Sequence, residues 1–220
     1  MNISDYKTLV FDCDGVVLDS NKVKTQAFYN AALPYGEAAA QALVDYHVAN
    51  GGISRYRKFE YFLDTLVAQH ARDTDGPGLQ SLLDAYAKAV RHGLLNCAVT
   101  PGLAQLREAT PDARWLIVSG GDQAELREVF AQRGLAQMFD GGIFGSPASK
   151  DEILSAQLAT GNIRPRALFI GDSRYDHVAS AAAGLDFLFV SHWTEFPSWQ
   201  AYCREHALTC LQAIENLLGH

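Results

Sequence analysis

Thr8-Leu9-Val10-Phe11-Asp12-Cys13-Asp14-Gly15 sets a short apolar run directly before two carboxylates and a glycine. A brief, continuous run with β-branched and aromatic members suits a strand buried on both faces. Asp12 and Asp14 are separated by one residue, so in extended backbone they point the same way. Holding two like charges together costs stability unless a cation or a proton is shared. Gly15 then lets the backbone turn away. Taken alone, the tetrapeptide Asp12-Cys13-Asp14-Gly15 is equally a solvated acidic turn, and its meaning depends on what surrounds it.

Similar runs recur at Trp115-Leu116-Ile117-Val118, Gly142-Ile143-Phe144, Ala167-Leu168-Phe169-Ile170 and Phe187-Leu188-Phe189-Val190. Helical patterns near 101–110, 122–133, 150–160 and 174–183 lie between most of them. Strands alternating with helices predict an α/β fold, a doubly wound, Rossmann-like parallel sheet with right-handed crossovers. Residues from about 20 to 98 break the rhythm, because no strand is evident there. They read as helices near 21–33, 36–49, 54–70 and 78–93, broken at Pro34, Gly51-Gly52 and Asp75-Gly76-Pro77-Gly78. An insert of this size exceeds a βα loop. It predicts a small α-helical cap domain, 17–98, set into a core formed by 1–16 and 99–220. Thr100 is expected to cap the helix that restarts the core, with Pro101 at its first position.

The chain has 220 residues, 48% hydrophobic and 20% charged, with a net charge of -7. That balance argues against a nucleic-acid binder, which needs an excess of cations. Four cysteines without a C-x-x-C pair, no signal-peptide pattern and no apolar run of roughly 18 residues lead to the expectation of a cytoplasmic protein without a membrane span. With no heptad seam, a monomer is the default.

Three further segments bear on the carboxylates. Gly171-Asp172-Ser173 and Asp176 follow a second predicted core strand, and ligands bind at the carboxyl ends of such strands. If the two strands are neighbours, Asp12 and Asp172 converge. Hard oxygen donors without a nearby His or Cys favour magnesium. Singly, Asp172 and Asp176 are also ordinary helix-start residues. Ser119-Gly120-Gly121 offers a hydroxyl and backbone N–H groups before a helix, suited to a phosphate oxygen, though it also reads as a plain strand-to-helix turn. Lys150 opens another helix, where the helix dipole disfavours a cation unless an anion sits beside it. The seven histidines form no H-x-H or H-x-x-x-H pair, which argues against zinc. Cys13 is expected to pack in the core, and His177 to face away from Asp172.

Phe11-Asp12-Cys13-Asp14-Gly15-Val16-Val17-Leu18-Asp19-Ser20, Ser119, Lys150 and Gly171-Asp172-Ser173-Arg174-Tyr175-Asp176 resemble, in order, the four motifs of the haloacid dehalogenase-like superfamily. The helical insert is similar to the cap of the subgroup containing β-phosphoglucomutase and phosphoglycolate phosphatase. The resemblance implies a magnesium-dependent phosphatase acting on a small phosphate ester. Asp12 would form an aspartyl-phosphate, and Asp14 would serve as general acid and base. Asp12, the Asp14 carbonyl and Asp172 would hold Mg2+, with Asp176 bound directly or one shell out. Ser119, Gly120 and Lys150 would bind the transferring phosphate. An acid at Asp14 favours phosphate esters over halide or phosphonate substrates, whose enzymes in this superfamily lack it.

Gly51-Gly52-Ile53-Ser54-Arg55 is similar to the β-phosphoglucomutase cap loop, which makes Gly52 and Arg55 candidates for substrate binding; Arg57 and Lys58 lie close by, and the cluster is equally a solvated basic face. Lys24 stands where mutases and many capped phosphatases carry histidine, which tilts the expectation from mutase to hydrolase. Lys24 and Arg55 together would then select an acidic substrate, such as a sugar phosphate or acid-sugar phosphate. The alternatives are a β-phosphoglucomutase-like phosphotransferase, a non-enzymatic receiver-type phospho-acceptor module, and a retired family member acting as a binding module.

Overall fold

The protein's structure, a computed structural model, describes residues 2–219. Strand β1 (Thr8–Phe11) is followed by helices α1 (Asn21–Ala32), α2 (Glu37–Ala49), α3 (Arg55–Tyr61), α4 (Val67–His70) and α5 (Leu79–Asn96). The chain then alternates through α6 (Leu103–Ala109), β2 (Arg114–Asp122), α7 (Gln123–Gln132), β3 (Gly142–Ser146), α8 (Lys150–Ala159), β4 (Ala167–Gly171), α9 (Arg174–Ala182), β5 (Asp186–Val190), α10 (Trp199–Glu205) and β6 (Thr209–Leu211). The strands form one sheet in the order β3-β2-β1-β4-β5-β6, and every neighbouring pair is parallel. This is the doubly wound α/β sheet that the sequence predicts. The order reverses at β1, so the connections leaving β1 and β4 diverge and open a crevice between them.

The period of two along each strand explains why both faces are buried. Leu9, Phe11, Ile117, Leu168 and Ile170 join one core cluster with Leu106 and Phe130. Val10, Leu116, Val118 and Phe169 join a second with Ile153, Leu154 and Ala179 of α8 and α9. Burying each large apolar side chain is worth about 1.5–3 kcal/mol, so this double layer fixes the strand ends firmly.

The helices between β1 and β2 pack around aromatic rings, and their buried residues run on into the cluster on one face of the sheet. The Phe28 ring lies 4.4 Å from Tyr86 and 5.1 Å from Phe59. Along α5, Leu82, Tyr86, Val90 and Leu94 recur every four residues and form one buried stripe. The predicted helix 54–70 is one helical run in which a π-helical turn, Phe62–Leu66, joins α3 to α4.

Two differences from the sequence reading have physical causes. Thr100 does not cap the core helix. Its N–H is bonded to the Val17 carbonyl at 2.9 Å, and the chain turns at Pro101-Gly102, with Gly102 at φ 80, ψ 0 as the cap. Those angles are the third position of a type II turn, which favours glycine after proline. The strand β6 and helix α10 are additional. Thr209-Cys210-Leu211 is a three-residue, partly exposed edge strand and carries no apolar run. Among the described residues, no helix is long and apolar enough to cross a membrane.

Candidate active site

The register that pairs Phe11 with Ile170 brings the two acidic strand ends together. The Asp12 N–H donates to the Ile170 carbonyl at 2.9 Å. Asp12, Asp172 and Asp176 each place one carboxylate oxygen within 4.8 Å of the others, and all three are buried. Gly15 is required beside them. It has φ +75, and a Cβ there would lie 2.1 Å from Oδ2 of Asp172.

Each carboxylate is held differently. Asp176 belongs to the capping box of α9, where its Oδ2 accepts from the Ser173 N–H at 3.0 Å and the Ser173 hydroxyl at 2.6 Å. Its Oδ1 accepts from Nζ of Lys150. Asp172 accepts from Nδ2 of Asn21 at 2.9 Å, and its carbonyl accepts from the Thr194 hydroxyl at 2.6 Å. Oδ1 of Asp12 lies 3.0 Å from Nζ of Lys150, yet it is buried without a hydrogen-bond partner. Burial pushes the Asp12 carboxyl up to about 7 against the pull of Lys150, with the Asp176 and Asp14 charges adding to the rise. Burial, then Asp176 and Asp12, push Asp172 well above the carboxylate range. Burial opposes the Lys150 charge, but Asp12 and Asp176 outweigh it and raise its pKa. One lysine against three carboxylates, with Oδ1 of Asp12 left unpartnered, makes an oxygen-only donor set that fits a hard divalent cation such as magnesium.

Asp14 stands on the other side of the turn. Its carboxylate accepts from Nζ of Lys24 at 2.5 Å and from the Ser20 hydroxyl at 2.5 Å. Burial alone would raise its pKa, but the Lys24 charge and these two bonds outweigh it and hold Asp14 below the ordinary range. Lys24 is therefore already paired with an acid.

Ser119 is fully buried, and its hydroxyl accepts from the Gly121 N–H at 3.0 Å. β2 continues past it to Asp122 with an irregular register. The Asp122 side chain caps α7 by accepting from the Glu125 N–H, so that amide is not open to a ligand. Gly120 faces the insert closely, since a Cβ on it would lie 2.1 Å from the Gly52 carbonyl.

The insert closes over these residues, leaving a cavity of about 360 Å³ between it and the core. Asp12, Asp14, Lys24, Gly52, Arg55, Gly120 and Asp172 all line it. Arg55 is buried and paired with Glu125 of α7, and Tyr56 donates to Asp122 at 2.8 Å, so two contacts hold α3 to the core. Lys58, which the sequence leaves level between substrate cluster and solvated basic face, lines the cavity with His47, a residue the sequence reading did not name, and Nζ of Lys58 lies 2.6 Å from Nδ1 of His47. Cys13 is buried in the core, and His177 contacts Tyr202 at 2.8 Å rather than the carboxylates.

The model of the haloacid dehalogenase-like hydrolase family matches residues 6–184. No curated protein sequence matches the chain. Among solved structures, it is similar to a predicted phosphoglycolate phosphatase from Haemophilus somnus, with TM-score 0.75, 16% identity and 99% of this chain and 98% of that chain covered. It is also similar to a predicted phosphatase from Clostridium acetobutylicum, with TM-score 0.70, 17% identity and 96% of each chain covered. A candidate β-phosphoglucomutase from Thermotoga maritima gives TM-score 0.65 at 16% identity, with 97% of each chain covered. At these identities the likeness is one of fold, and it extends almost end to end. Joined to a family match that begins just before β1 and ends just after α9, it makes the chain a member of the haloacid dehalogenase-like hydrolase family.

Proposed function

We propose that this protein is a magnesium-dependent phosphatase for a small phosphorylated metabolite, working in the cytoplasm through an aspartyl-phosphate on Asp12. In this reading residues 1–16 and 99–220 are the catalytic core and 17–98 the cap. The observation that carries it is the buried Oδ1 of Asp12, which has no hydrogen-bond partner, lies 3.0 Å from Lys150 and belongs to a residue that lines the cavity.

Oδ1 of Asp12 attacks phosphorus as the bond to the leaving oxygen breaks. Lys150, the Ser119 hydroxyl and the Gly120 N–H hold the phosphoryl oxygens, where charge accumulates. Asp12, the Asp14 carbonyl and Asp172 would hold the cation, while Asp176 fixes Lys150 and the α9 loop. Magnesium, when bound, would supply positive charge that offsets the repulsion among the carboxylates and the incoming phosphate.

Asp14 protonates the leaving oxygen and then, ionised, accepts a proton from the water that attacks the phospho-aspartate, releasing phosphate and regenerating Asp12. Its pairing with Lys24 and Ser20 suits the second half of this cycle. For the first half Asp14 must take up a proton and leave Lys24. The cap excludes bulk water meanwhile.

The test is release of p-nitrophenol from p-nitrophenyl phosphate. Turnover that requires Mg2+ and disappears in Asp12→Asn is expected. A rate equal in wild type and Asp12→Asn would remove Asp12 from the reaction.

A further inference from the structure

Three cations face the cavity from the insert: Lys24, Arg55 and Lys58. Two already have acidic partners, Lys24 in Asp14 and Arg55 in Glu125. Lys58 differs. It is 2% exposed, and among the described residues no carboxylate pairs with it. Its partners are Nδ1 of His47 at 2.6 Å and the His47 carbonyl at 3.5 Å, both on one side, with the Phe28 ring 5.5 Å away.

An ammonium has three donors, so His47 leaves at least one free. A buried cation without a counter-ion is costly, and an anion entering the cavity removes that cost. Burial and the Lys24 charge push Lys58 down to about 7, and burial and Lys58 lower His47. A neutral His47 ring with Nδ1 unprotonated can accept from the ammonium and orient it without adding charge, and an anion in the cavity favours the ammonium form of Lys58.

We infer that Lys58, oriented by His47, binds an anionic group on the leaving-group side of the substrate, so that the preferred esters carry a carboxylate or a second phosphate besides the phosphoryl group transferred. This rests on the phosphatase reading and gives it a substrate class. It also moves the selecting role from Lys24 and Arg55, whose charges are answered within the protein, to Lys58.

The test compares phosphate esters whose leaving groups carry a carboxylate, a second phosphate or no charge, on wild type, Lys58→Met and Lys58→Arg. Lys58→Met is expected to lose at least tenfold more kcat/KM on the better of the two anionic classes than on the neutral ester, chiefly through KM, and Lys58→Arg to recover part of it. The class that loses more identifies the anion. Equal losses on neutral and anionic esters, or no loss on either, overturn the inference while leaving the phosphatase reading intact. The inert Asp12→Asn variant gives a readout independent of turnover. It should bind an anionic ester at least tenfold more tightly than the neutral one, and Lys58→Met in that background should erase the difference. Equal binding of both esters overturns the inference even if no ester is turned over.

Discussion

Nζ of Lys24 and Oδ2 of Asp14 lie 2.5 Å apart, joining the first helix of the insert to the turn that follows β1. The pair ties the charge state of the proposed acid-base to a residue of the insert. Asp14 has a lowered pKa, so the stability it contributes is present above the unfolded carboxyl value near 4 and is lost as pH falls through the lowered one. In Lys24→Met the carboxyl loses its strongest favourable charge and its pKa rises. Wherever Asp14 must be ionised to activate water, the acidic limb should therefore move to higher pH. A kcat profile whose acidic limb coincides with that of wild type would show that Lys24 does not set this ionisation.

The carboxylate cluster predicts a pH-dependent response to metal. Without a cation, Asp12 is raised to about 7, so between about pH 4 and 7 the folded Asp12 carboxyl keeps a proton that it has lost in the unfolded chain. In chelator the Asp12 contribution to stability should fall as pH rises through that window, so Asp12→Asn should flatten that part of the dependence. Magnesium competes with those protons. It should raise Tm more at pH 8 than at pH 5.5, measured by thermal unfolding. An equal shift at both, or none, would show that these carboxylates are not the cation site.

Arg55 and Glu125 form a cross-link between α3 and α7 that is shielded from water. Removing one partner of such a pair leaves the other buried and unpaired, at a cost of about 3–5 kcal/mol. Glu125→Gln should approach that cost in denaturant unfolding. The cycle with Arg55→Met should show a coupling of about 1–3 kcal/mol. A coupling near zero would mean that the contact does not hold insert and core together.

Asn21 bridges Oδ2 of Asp172 and the Trp193 carbonyl, both at 2.9 Å. Partners that orient metal ligands are commonly worth about 10–100-fold in affinity. Asn21→Ala should weaken Mg2+ binding by about tenfold or more in calorimetry. Wild-type affinity in this variant would separate Asn21 from the metal site.

Most of the sheet was legible because its strands are apolar on both faces, and a continuous run such as Leu168-Phe169-Ile170 needs no partner to be recognised. β6 was not, since an edge strand has one side open and carries no such run. Asp12, Asp172 and Asp176 were readable from their places after strands. Their meeting depends on β1 lying beside β4, which spacing alone does not give. The charges of the insert were legible as residues but not as partners. Glu125 lies seventy positions from Arg55, and only the packing of α3 on α7 joins them. Lys58 was hidden for the converse reason, because a basic helix face reads the same whether it meets solvent or a cavity. Ser20 closes the first motif and Asn21 directly follows it, and that placement was the one signal available for them.

The covalent phosphate proposed on Asp12 can be trapped directly. Protein mixed with substrate and Mg2+, quenched in acid and reduced with borohydride should yield homoserine at position 12 by peptide mass spectrometry, because borohydride reduces acyl phosphates but not free carboxylates. The same treatment without substrate should leave aspartate there. Asp12 found unmodified under turnover that still releases phosphate, with the quench shown to preserve acyl phosphates, would contradict the account.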